Sequence, residues 1–463
     1  MNEFDIIIIG SGPGGYVAAI RASQLGMNAA VIEKAETGGI CLNWGCIPTK
    51  ALLKSAQVYE YCRHAADYGI TVGEPAADFG SVISRSRGVA DAMSKGVQYL
   101  FKKYNITLIN GFGKLAGENT VRVTAADNSV TDYKAPHIVL ATGARSRELP
   151  NIKQDGRRII GYREAMTLPS LPSSMVVIGS GAIGSEFAYF YQSLGTDVTL
   201  VEYLPRILPL EDEEVSRTVE RSFKKMKMKI LTASSVESAD TTGEKCSVVI
   251  KTPKGDVTVE ADIVLSAAGI TPNIEGIGLE EAGIKTEKGK VVVDEYYRTS
   301  VKGVYAIGDI VPGPALAHVA SAEAIVCVEK IAGADTVPVN YDVIPACTYT
   351  TPEVASCGLT EQAAQAKGIE VKTGKFQFMA SGKATASGAR EGFVKLVFRA
   401  SDYKLIGAQM TGMNVTEMIS SMVVSIRMGA TAHDIARSIH PHPTMSEAVM
   451  EAAAAALGEA IHG

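Results

Sequence analysis

The sequence predicts an α/β protein with two Rossmann-like dinucleotide-binding domains followed by a C-terminal α+β domain. Two observations carry the first part: an apolar run leading into a G-x-G-x-x-G turn occurs twice, and an acidic residue follows each turn at the same distance. The third observation is that the last third of the chain changes to strands followed by helical runs. A chain of 463 residues has room for about three domains of ~150 residues each.

Composition excludes several classes of protein. The 45 basic and 50 acidic residues give a net charge of −5, which argues against nucleic acid or an anionic membrane as a partner. The apolar run 6–9 is ended by Gly10 and is too short for a signal peptide or a membrane span. No other run approaches the length of a span, so we expect a soluble, cytoplasmic protein. Most of the seven cysteines are expected to be buried, reduced thiols.

The repeated motif organises the first two thirds of the chain. Strand-like runs at 5–9 and 175–178 lead into two glycine-rich turns, whose fingerprint glycines are Gly10, Gly12 and Gly15, and Gly179, Gly181 and Gly184. Gly10 and Gly179 are 169 positions apart, as are the acids Glu33 and Glu202 that follow the turns. One such turn is weak evidence, since a glycine-rich turn without a ligand is a reasonable alternative. Two copies that agree at four positions favour two nucleotide sites.

Each residue type in the motif has a physical role. The first glycine permits the tight turn, the second lets the backbone approach a pyrophosphate, and the third lets helix and strand pack closely. The N-terminus of the following helix offers unpaired N–H groups to the phosphates. Glu33 and Glu202 are then expected to accept hydrogen bonds from a ribose hydroxyl. A carboxylate would repel a 2′-phosphate, so Glu202 favours NAD over NADP.

Later strand-like runs set the expected domain boundaries. Runs at 137–141 and 262–266 precede Thr142-Gly143 and Ala267-Ala268-Gly269, and they indicate that the first unit closes near 148 and the second near 272. The stretch 150–172, rich in Pro, Gly and charge, is expected to be a linker. A further buried strand at 304–309 ends in Asp309. Beyond 341 we expect strands at 392–398 and 404–410 and helices at 415–428 and 446–457.

A pair of cysteines lies a few residues after Glu33. In a regular helix the five-residue step from Cys41 to Cys46 rises about 7.5 Å, whereas a disulfide needs Cα atoms roughly 4.4–6.8 Å apart. The segment must therefore leave helical form, which Gly45 allows, and Pro48 suits a first helical turn, where a thiolate at Cys46 is favoured. The alternatives are two buried thiols or half of a zinc site, but no second pair of ligand spacing occurs. A redox-active disulfide beside a dinucleotide is the favoured interpretation.

These motifs resemble a known family over the whole chain. The matching stretches are residues 12–22, 41–50, 181–186, 306–309, 314–320 and 440–447. They resemble the pyridine nucleotide-disulfide oxidoreductases, which are dimeric flavoproteins, and most of all the members that oxidise dihydrolipoamide. Three positions depart from the usual pattern: Ile40 stands where Thr is common, Trp44 where Val is common, and Ile270 where Arg is frequent.

The resemblance implies a role for each matching position. It implies that residues 1–148 bind FAD, that 149–272 bind NAD, that 273–340 complete the FAD domain and that 341–463 form a dimerisation domain. Cys46 is expected to face the flavin, Cys41 to exchange with substrate, and Lys50 to lie by the reactive flavin nitrogen and pair with Glu186. The remaining expected cofactor-binding residues are Thr142, Gly143, Asp309 and Ala317 for FAD and Gly269 for NAD.

His442 and Glu447 are the expected proton-transfer pair. From the residues alone, Ser446 is a candidate N-cap and Glu447 a favourable first-turn acid of the C-terminal helix. The resemblance adds that His442, held by Glu447, acts as a base at the disulfide of the partner subunit. His440 also matches but is assigned no chemistry.

The expected reaction passes electrons from protein-bound dihydrolipoamide through the Cys41–Cys46 disulfide and FAD to NAD+. The implied partners are a second copy of the chain and lipoyl-bearing carrier domains of 2-oxo acid dehydrogenase complexes or the glycine cleavage system, without a metal. Mercuric reductase is the nearest alternative, but it would carry a C-terminal cysteine pair that this chain lacks. Glutathione reductase is disfavoured by Glu202. A non-enzymatic structural flavoprotein would not need the two cysteines, His442 and Glu447.

Overall fold

The computed structural model describes residues 2–462, which divide into two compact units. The first unit comprises the chain up to Ala51, Gly80–Arg147 and Ile270–Val339. The second unit comprises Leu52–Phe79, Glu148–Gly269 and the chain from Asn340 onward. The boundaries predicted at 148, 272 and 340 separate the expected FAD-binding, NAD-binding and dimerisation domains, and they stay predictions.

The helices occur in both units. In chain order they are α1 Pro13–Gln24, α2 Gly39–Asn43, α3 Cys46–Arg63, α4 Phe79–Lys103, α5 Tyr162–Ala165, α6 Ala182–Leu194, α7 Glu213–Lys225, α8 Leu279–Ala282, α9 Ala317–Ile331, α10 Glu361–Ala366, α11 Gly382–Ala386, α12 Val415–Met428, α13 Ala432–Arg437 and α14 Glu447–Leu457.

The strands are mostly short. In chain order they are β1 Ile6–Ile9, β2 Ala29–Glu33, β3 Thr107–Asn110, β4 Phe112–Leu115, β5 Thr120–Thr124, β6 Val130–Lys134, β7 His137–Leu140, β8 Ala144–Ser146, β9 Ile159–Ile160, β10 Ser174–Ile178, β11 Asp197–Val201, β12 Lys229–Leu231, β13 Ser235–Asp240, β14 Cys246–Thr252, β15 Gly255–Ala261, β16 Ile263–Ser266, β17 Ile270–Pro272, β18 Thr286–Glu287, β19 Lys290–Val291, β20 Val304–Ala306, β21 Ala346–Thr348, β22 Glu353–Gly358, β23 Val371–Gln377, β24 Phe393–Arg399 and β25 Leu405–Gly412.

A parallel sheet forms the centre of the first unit, in the order β20-β7-β1-β2-β3. The four isoleucines of β1 are buried, as a strand covered on both faces requires. β20 joins this sheet through the pair Val304↔Ile138, although it lies more than 160 residues after β7. β20 is shorter than the predicted strand at 304–309, because Gly308–Ile310 turns into a 3₁₀-helix. Helix α1 packs against α9.

The second unit repeats this arrangement, with a parallel sheet in the order β12-β11-β10-β16-β9. The prediction that 150–172 is only a linker is wrong, because β9 lies there and pairs with β16 through Ile159↔Val264. Both isoleucines of β9 are buried. The Arg158 guanidinium donates hydrogen bonds to three backbone carbonyls of residues 241–244. The charged, Pro-rich composition of this stretch is typical of a linker, and a two-residue edge strand is too short to change it.

The chain beyond Asn340 contains an antiparallel sheet in the order β21-β22-β25-β24-β23. Helix α14 lies so close to β23 that a Cβ on Gly374 would be 1.8 Å from the Ala452 carbonyl oxygen. The four elements predicted here are present within two residues of their expected ends, as β24, β25, α12 and α14.

Within residues 2–462 there is no helix with both the length and the apolar character that a membrane span requires. The same residues contain no cluster of three or more His, Cys, Asp or Glu side chains suited to a metal ion.

Candidate active site

The first glycine turn contains two glycines that the fold requires and a third that borders open space. Gly10 has φ +105°, and a Cβ there would lie 2.2 Å from the Ala141 carbonyl oxygen. A Cβ on Gly15 would lie 1.9 Å from the Gly10 carbonyl oxygen, so the start of α1 could not pack against β1. A Cβ on Gly12, just before α1, would meet no heavy atom within 4 Å. The turn therefore fits the ligand-approach role predicted for its second glycine.

The second glycine turn has the same construction. Gly179 has φ +95°, and a Cβ there would lie 2.6 Å from the Ala267 carbonyl oxygen. A Cβ on Gly184 would lie 1.9 Å from the Gly179 carbonyl oxygen, whereas a Cβ on Gly181 would meet no atom within 4 Å. Both turns thus leave a similar space at the N-terminus of a helix, α1 in one unit and α6 in the other.

The acid of the first motif is held by a residue that sequence analysis missed. Glu33 Oε2 accepts hydrogen bonds from the Ser11 backbone N–H at 2.9 Å and the Ser11 hydroxyl at 2.6 Å. Its other oxygen accepts from the Ala35 N–H at 2.9 Å. A carboxylate has about four acceptor positions, so one remains for a ribose hydroxyl.

The second motif repeats each of these hydrogen bonds. Glu202 Oε2 accepts from the Ser180 N–H at 2.8 Å and hydroxyl at 2.7 Å, and Oε1 accepts from the Leu204 N–H at 2.8 Å. Ser11 and Ser180 stand between the first two glycines of their motifs, 169 positions apart like the other matching residues. That shared position was the available signal.

Asp309 carries the clearest sign of a missing polar partner. Burial raises the pKa of its carboxyl group, and the Lys290 charge offsets this only in part. Among the described residues no hydrogen bond to this carboxylate is present, while the preceding Gly308 N–H donates to Glu323 Oε2 at 2.6 Å. A half-buried carboxylate on a fixed turn fits a ligand hydroxyl group.

The other residues predicted around the first nucleotide site differ in what they can contribute. The Thr142 hydroxyl already donates to the Asn273 carbonyl at 2.6 Å, and the Asn273 amide donates back to the Thr142 carbonyl at 3.0 Å. The Asn273 N–H also donates to the Gly143 carbonyl at 2.8 Å. Asn273 thus holds the Thr142-Gly143 turn, and no sequence motif indicated it. Ala317 is the first residue of α9, where helix N–H groups lack internal partners.

At the second nucleotide site, the predicted Gly269 lies between β16 and β17. Its φ is +107°, a conformation that glycine adopts readily.

The cysteine segment, residues 38–51, leaves helical form between Cys41 and Cys46, as the spacing of the two cysteines predicted. Helix α2 ends at Asn43, residues 44 and 45 form a link, and α3 begins at Cys46 with Pro48 in its first turn. The Gly45 carbonyl accepts hydrogen bonds from the Thr49 N–H at 3.1 Å and hydroxyl at 2.7 Å. The two cysteines therefore lie on two separate helices, one on each side of the link.

The cysteine segment also lies against the first glycine turn. The Gly38 N–H donates to the Ser11 hydroxyl at 3.0 Å, and a Cβ on Gly39 would be 2.7 Å from Gly12 Cα. Ser11 therefore connects the cysteine segment to Glu33. This contact places the start of the cysteine segment against the turn that borders the space predicted for a dinucleotide.

The Cys41 thiol lies within hydrogen-bonding distance of Cys46. The pKa of Cys41 is raised, first by its hydrogen bond to Cys46, then by burial and by the Cys46 charge, while the Lys50 ammonium acts in the opposite direction. Cys41 therefore holds its proton more tightly than an ordinary cysteine. The separate roles expected of the two cysteines stay predictions.

His442 and Glu447 are hydrogen-bonded in the second unit, His442 Nδ1 to Glu447 Oε1 at 2.8 Å. The other Glu447 oxygen accepts from the Thr444 N–H at 2.7 Å. Burial would raise the pKa of Glu447, but these hydrogen bonds and the neighbouring histidines hold it below its ordinary value. The expectation that Ser446 caps α14 is wrong, because its side chain makes no capping hydrogen bond. The Glu447 carboxylate instead makes hydrogen bonds to the segment that precedes the helix.

Glu186 on α6 is buried, and its Oε1 accepts a hydrogen bond from the Tyr349 N–H at 2.9 Å. Lys50 lies on α3, one turn after Cys46. Glu186 belongs to the second unit and Lys50 to the first, and their pairing stays a prediction.

Comparisons with known proteins identify the family to which the chain belongs. Residues 4–324 match the family model described as pyridine nucleotide-disulphide oxidoreductase, and residues 344–453 match its dimerisation domain. Dihydrolipoyl dehydrogenase of Zymomonas mobilis is 46% identical over 463 residues, covering 100% of this chain and 99% of the relative. The Rhizobium etli protein of the same name is 44% identical with the same coverage. The crystal structure of LpdA from Mycobacterium tuberculosis matches with a TM-score of 0.91 and 29% identity, covering 98% of this chain and 99% of that one.

These matches cover both units and include all the motif residues between 10 and 447. They confirm the predicted fold class and the resemblance proposed from the motifs. The chain belongs to the pyridine nucleotide-disulphide oxidoreductase family and is an oxidoreductase.

Proposed function

We propose that the protein is a dihydrolipoyl dehydrogenase, which oxidises protein-bound dihydrolipoamide to lipoamide and reduces NAD+. The observation that carries this proposal is the contact between the Cys41 and Cys46 thiols beside the first glycine turn. Relatives with that name, 44–46% identical over the full chain, support the choice of substrate.

FAD belongs to the first nucleotide site in this proposal, and NAD to the second. Gly12 leaves space for the FAD pyrophosphate, Glu33 receives a ribose hydroxyl, and the unpartnered Asp309 carboxylate receives a hydroxyl of the ribityl chain. Gly181 and Glu202 serve NAD in the same way, and Glu202 discriminates against a 2′-phosphate. When bound, FAD would supply the two-electron acceptor chemistry that links the cysteine pair to NAD+. In this assignment the FAD domain comprises 1–148 and 273–340, and the NAD domain comprises 149–272.

The cysteine pair performs the thiol–disulfide exchange. A substrate thiolate attacks the Cys41 sulfur, the Cys41–Cys46 bond breaks, and Cys46 leaves as a thiolate. The second substrate sulfur then attacks the mixed disulfide, which closes the lipoyl ring and releases Cys41. Two electrons thereby move from the substrate dithiol to the protein. Cys46 is the first residue of α3, and a helix N-terminus favours the leaving thiolate in this order.

His442 takes up the substrate proton. Because its Nδ1 is hydrogen-bonded to Glu447, the ring is oriented and Nε2 is left to accept a proton. The lowered pKa of Glu447 keeps that carboxylate ionised at neutral pH, so that it remains the hydrogen-bond partner that orients the ring. Lys50 and Glu186 complete the assigned set as a charge pair beside the flavin.

The match to a dimerisation domain at 344–453 supports a homodimer. In the proposed dimer, formed through residues 341–463, His442 of one subunit serves the disulfide of the other. The second partner is a lipoyl-bearing carrier domain, from a 2-oxo acid dehydrogenase complex or the glycine cleavage system. A cytoplasmic location is part of the same proposal.

The deciding assay compares three substrate pairs on the purified protein: dihydrolipoamide with NAD+, glutathione disulfide with NADPH, and mercuric ion with NADPH. We expect turnover with the first pair and a strong preference for NAD+ over NADP+. A preference for either of the other two pairs would replace the proposed substrate.

The role of Cys46 has its own spectroscopic test. Anaerobic reduction of the holoenzyme should produce a long-wavelength band from a thiolate against the flavin. Cys46→Ser should abolish this band, whereas Cys62→Ser, at a half-buried cysteine outside the segment, should retain it. Persistence of the band in Cys46→Ser would disprove the assignment of this sulfur.

A further inference from the structure

Three consecutive residues of α4 contact the backbone of the cysteine segment. Arg85 Nη1 donates to the Ala51 carbonyl at 2.7 Å. The Ser86 hydroxyl, which is fully buried, donates to the Pro48 carbonyl at 3.0 Å. Arg87 Nη1 donates to the Asn43 carbonyl at 2.6 Å. One turn of a single helix thus holds three points of the segment that carries Cys41 and Cys46.

The three contacts differ in the helix that they hold. Pro48 and Ala51 lie on α3, the helix that begins at Cys46. Asn43 is the last residue of α2, the helix that carries Cys41, and the carbonyls in the last turn of a helix lack partners within it. Within this set of three, Arg87 alone contacts the Cys41 side of the link.

Arg87 makes a second contact with the link itself. Its guanidinium carbon lies 4.1 Å from the centroid of the Trp44 ring, well within the range of a cation–π interaction. Trp44 is one of the two residues that join α2 to α3, and it is the only tryptophan in the sequence. One guanidinium therefore holds both the end of the Cys41 helix and the side chain of the link.

We propose that Arg87 is a positioning residue for the Cys41–Cys46 couple, which it keeps in a geometry that favours the disulfide. A disulfide needs Cα atoms roughly 4.4–6.8 Å apart, and here the two atoms belong to separate helices. Fixing Asn43 and Trp44 against α4 restricts the movement of Cys41 relative to Cys46. Without this restriction the effective concentration of one thiol at the other falls, so the disulfide becomes easier to reduce. The inference rests on the proposed function, in that it takes these two cysteines to be the redox couple.

The test compares Arg87→Gln with Arg85→Gln in the holoenzyme. The second variant is a matched control, because it removes an arginine–carbonyl hydrogen bond of similar length that runs from the same helix to α3. Each protein is equilibrated without oxygen in mixtures of reduced and oxidised dithiothreitol, the free thiols are trapped by alkylation, and the Cys41–Cys46 disulfide is quantified by peptide mass spectrometry.

We expect Arg87→Gln to lower the equilibrium constant for disulfide formation about tenfold, which corresponds to a midpoint about 30 mV more positive for a two-electron couple. Arg85→Gln should titrate like the wild-type protein. Arg87→Lys keeps the positive charge over Trp44 and should recover part of the shift, and it serves as the test variant if Arg87→Gln does not fold. Because Trp44 is the only tryptophan, its fluorescence should change on reduction in the wild-type protein, and the midpoint of that change should move with the Arg87 variants.

The outcomes separate the two proposals. Wild-type midpoints in both Arg87 variants, or an equal shift in Arg85→Gln, would overturn the positioning role and leave the proposed function intact. A wild-type protein in which Cys41 and Cys46 never interconvert between thiol and disulfide would instead refute the proposed function.

Discussion

Replacing Gly181 with alanine separates the nucleotide role of the second glycine turn from its structural role. Gly181 has φ −64° and ψ −176°, a conformation open to alanine. The added methyl group would meet no heavy atom within 4 Å. We therefore expect the free energy of unfolding without NAD to change by less than about 1 kcal/mol.

The same methyl group would occupy the space that the NAD pyrophosphate is expected to enter. Overpacking at a close contact costs about 1–3 kcal/mol, which corresponds to roughly a 5- to 150-fold weaker binding of NAD+. The measurements are the KM for NAD+ under saturating dihydrolipoamide and a urea denaturation curve of the same preparation. FAD content, read from the visible absorbance, should equal that of the wild-type protein.

Gly184→Ala is the matched control in the same turn. Its Cβ would lie 1.9 Å from the Gly179 carbonyl oxygen, so this variant should lose stability by about 1–3 kcal/mol or fail to fold. An unchanged KM in Gly181→Ala would show that the pyrophosphate does not approach this glycine, and the assignment of the second site would then be wrong.

Three further predictions concern the proton-transfer pair and the serine of the second glycine turn. His442→Gln should lower dihydrolipoamide turnover by about 10²–10⁴-fold, as loss of a general base does, and unchanged steady-state turnover would place the base elsewhere. Because the pKa of Glu447 is lowered in the folded protein, its contribution to stability is present above its unfolded pKa of about 4.3 and is lost as pH falls through the folded pKa. The difference in urea midpoint between wild type and Glu447→Gln should therefore stay constant from pH 6 to 8 and shrink in acid, and a difference that grows in acid would contradict this sign. Ser180→Ala should cost about 1–3 kcal/mol in urea unfolding, because it removes the hydroxyl donor of the buried Glu202 carboxylate, and a change near zero would show that this hydrogen bond contributes little.

Sequence periodicity and motif spacing predicted the parallel strands closely. The runs before Gly10, Thr142, Gly179 and Ala267 all proved to be sheet strands within one residue of their expected ends. These strands are short, apolar and followed by glycine or a small residue, so the local sequence preference and the tertiary contacts favour the same structure. The break between Cys41 and Cys46 was also predictable, because the Cα–Cα distance of a disulfide is shorter than the rise of a regular helix over five residues.

Features that depend on contacts between distant segments escaped prediction. Strand β9 has two residues and acquires its identity only through pairing with β16. Asn273 holds the Thr142-Gly143 turn from 131 positions away, and no local pattern announces such a contact. Ser446 does not cap α14 because its backbone is helical, with φ −68° and ψ −20°, whereas an N-cap residue is extended, and this conformation appears only when the segment 440–447 is folded.

The matching serine–glutamate hydrogen bonds of the two motifs have a consequence for selectivity. FAD and NAD share their adenosine diphosphate half, and in the proposed assignment each turn would receive that half with the same donors, acceptors and open glycine. Neither turn is therefore expected to distinguish one dinucleotide from the other. Discrimination must come from groups outside the repeat, such as the Asp309 carboxylate, and exchanging the two hexapeptides 10–15 and 179–184 should leave each site with its own dinucleotide.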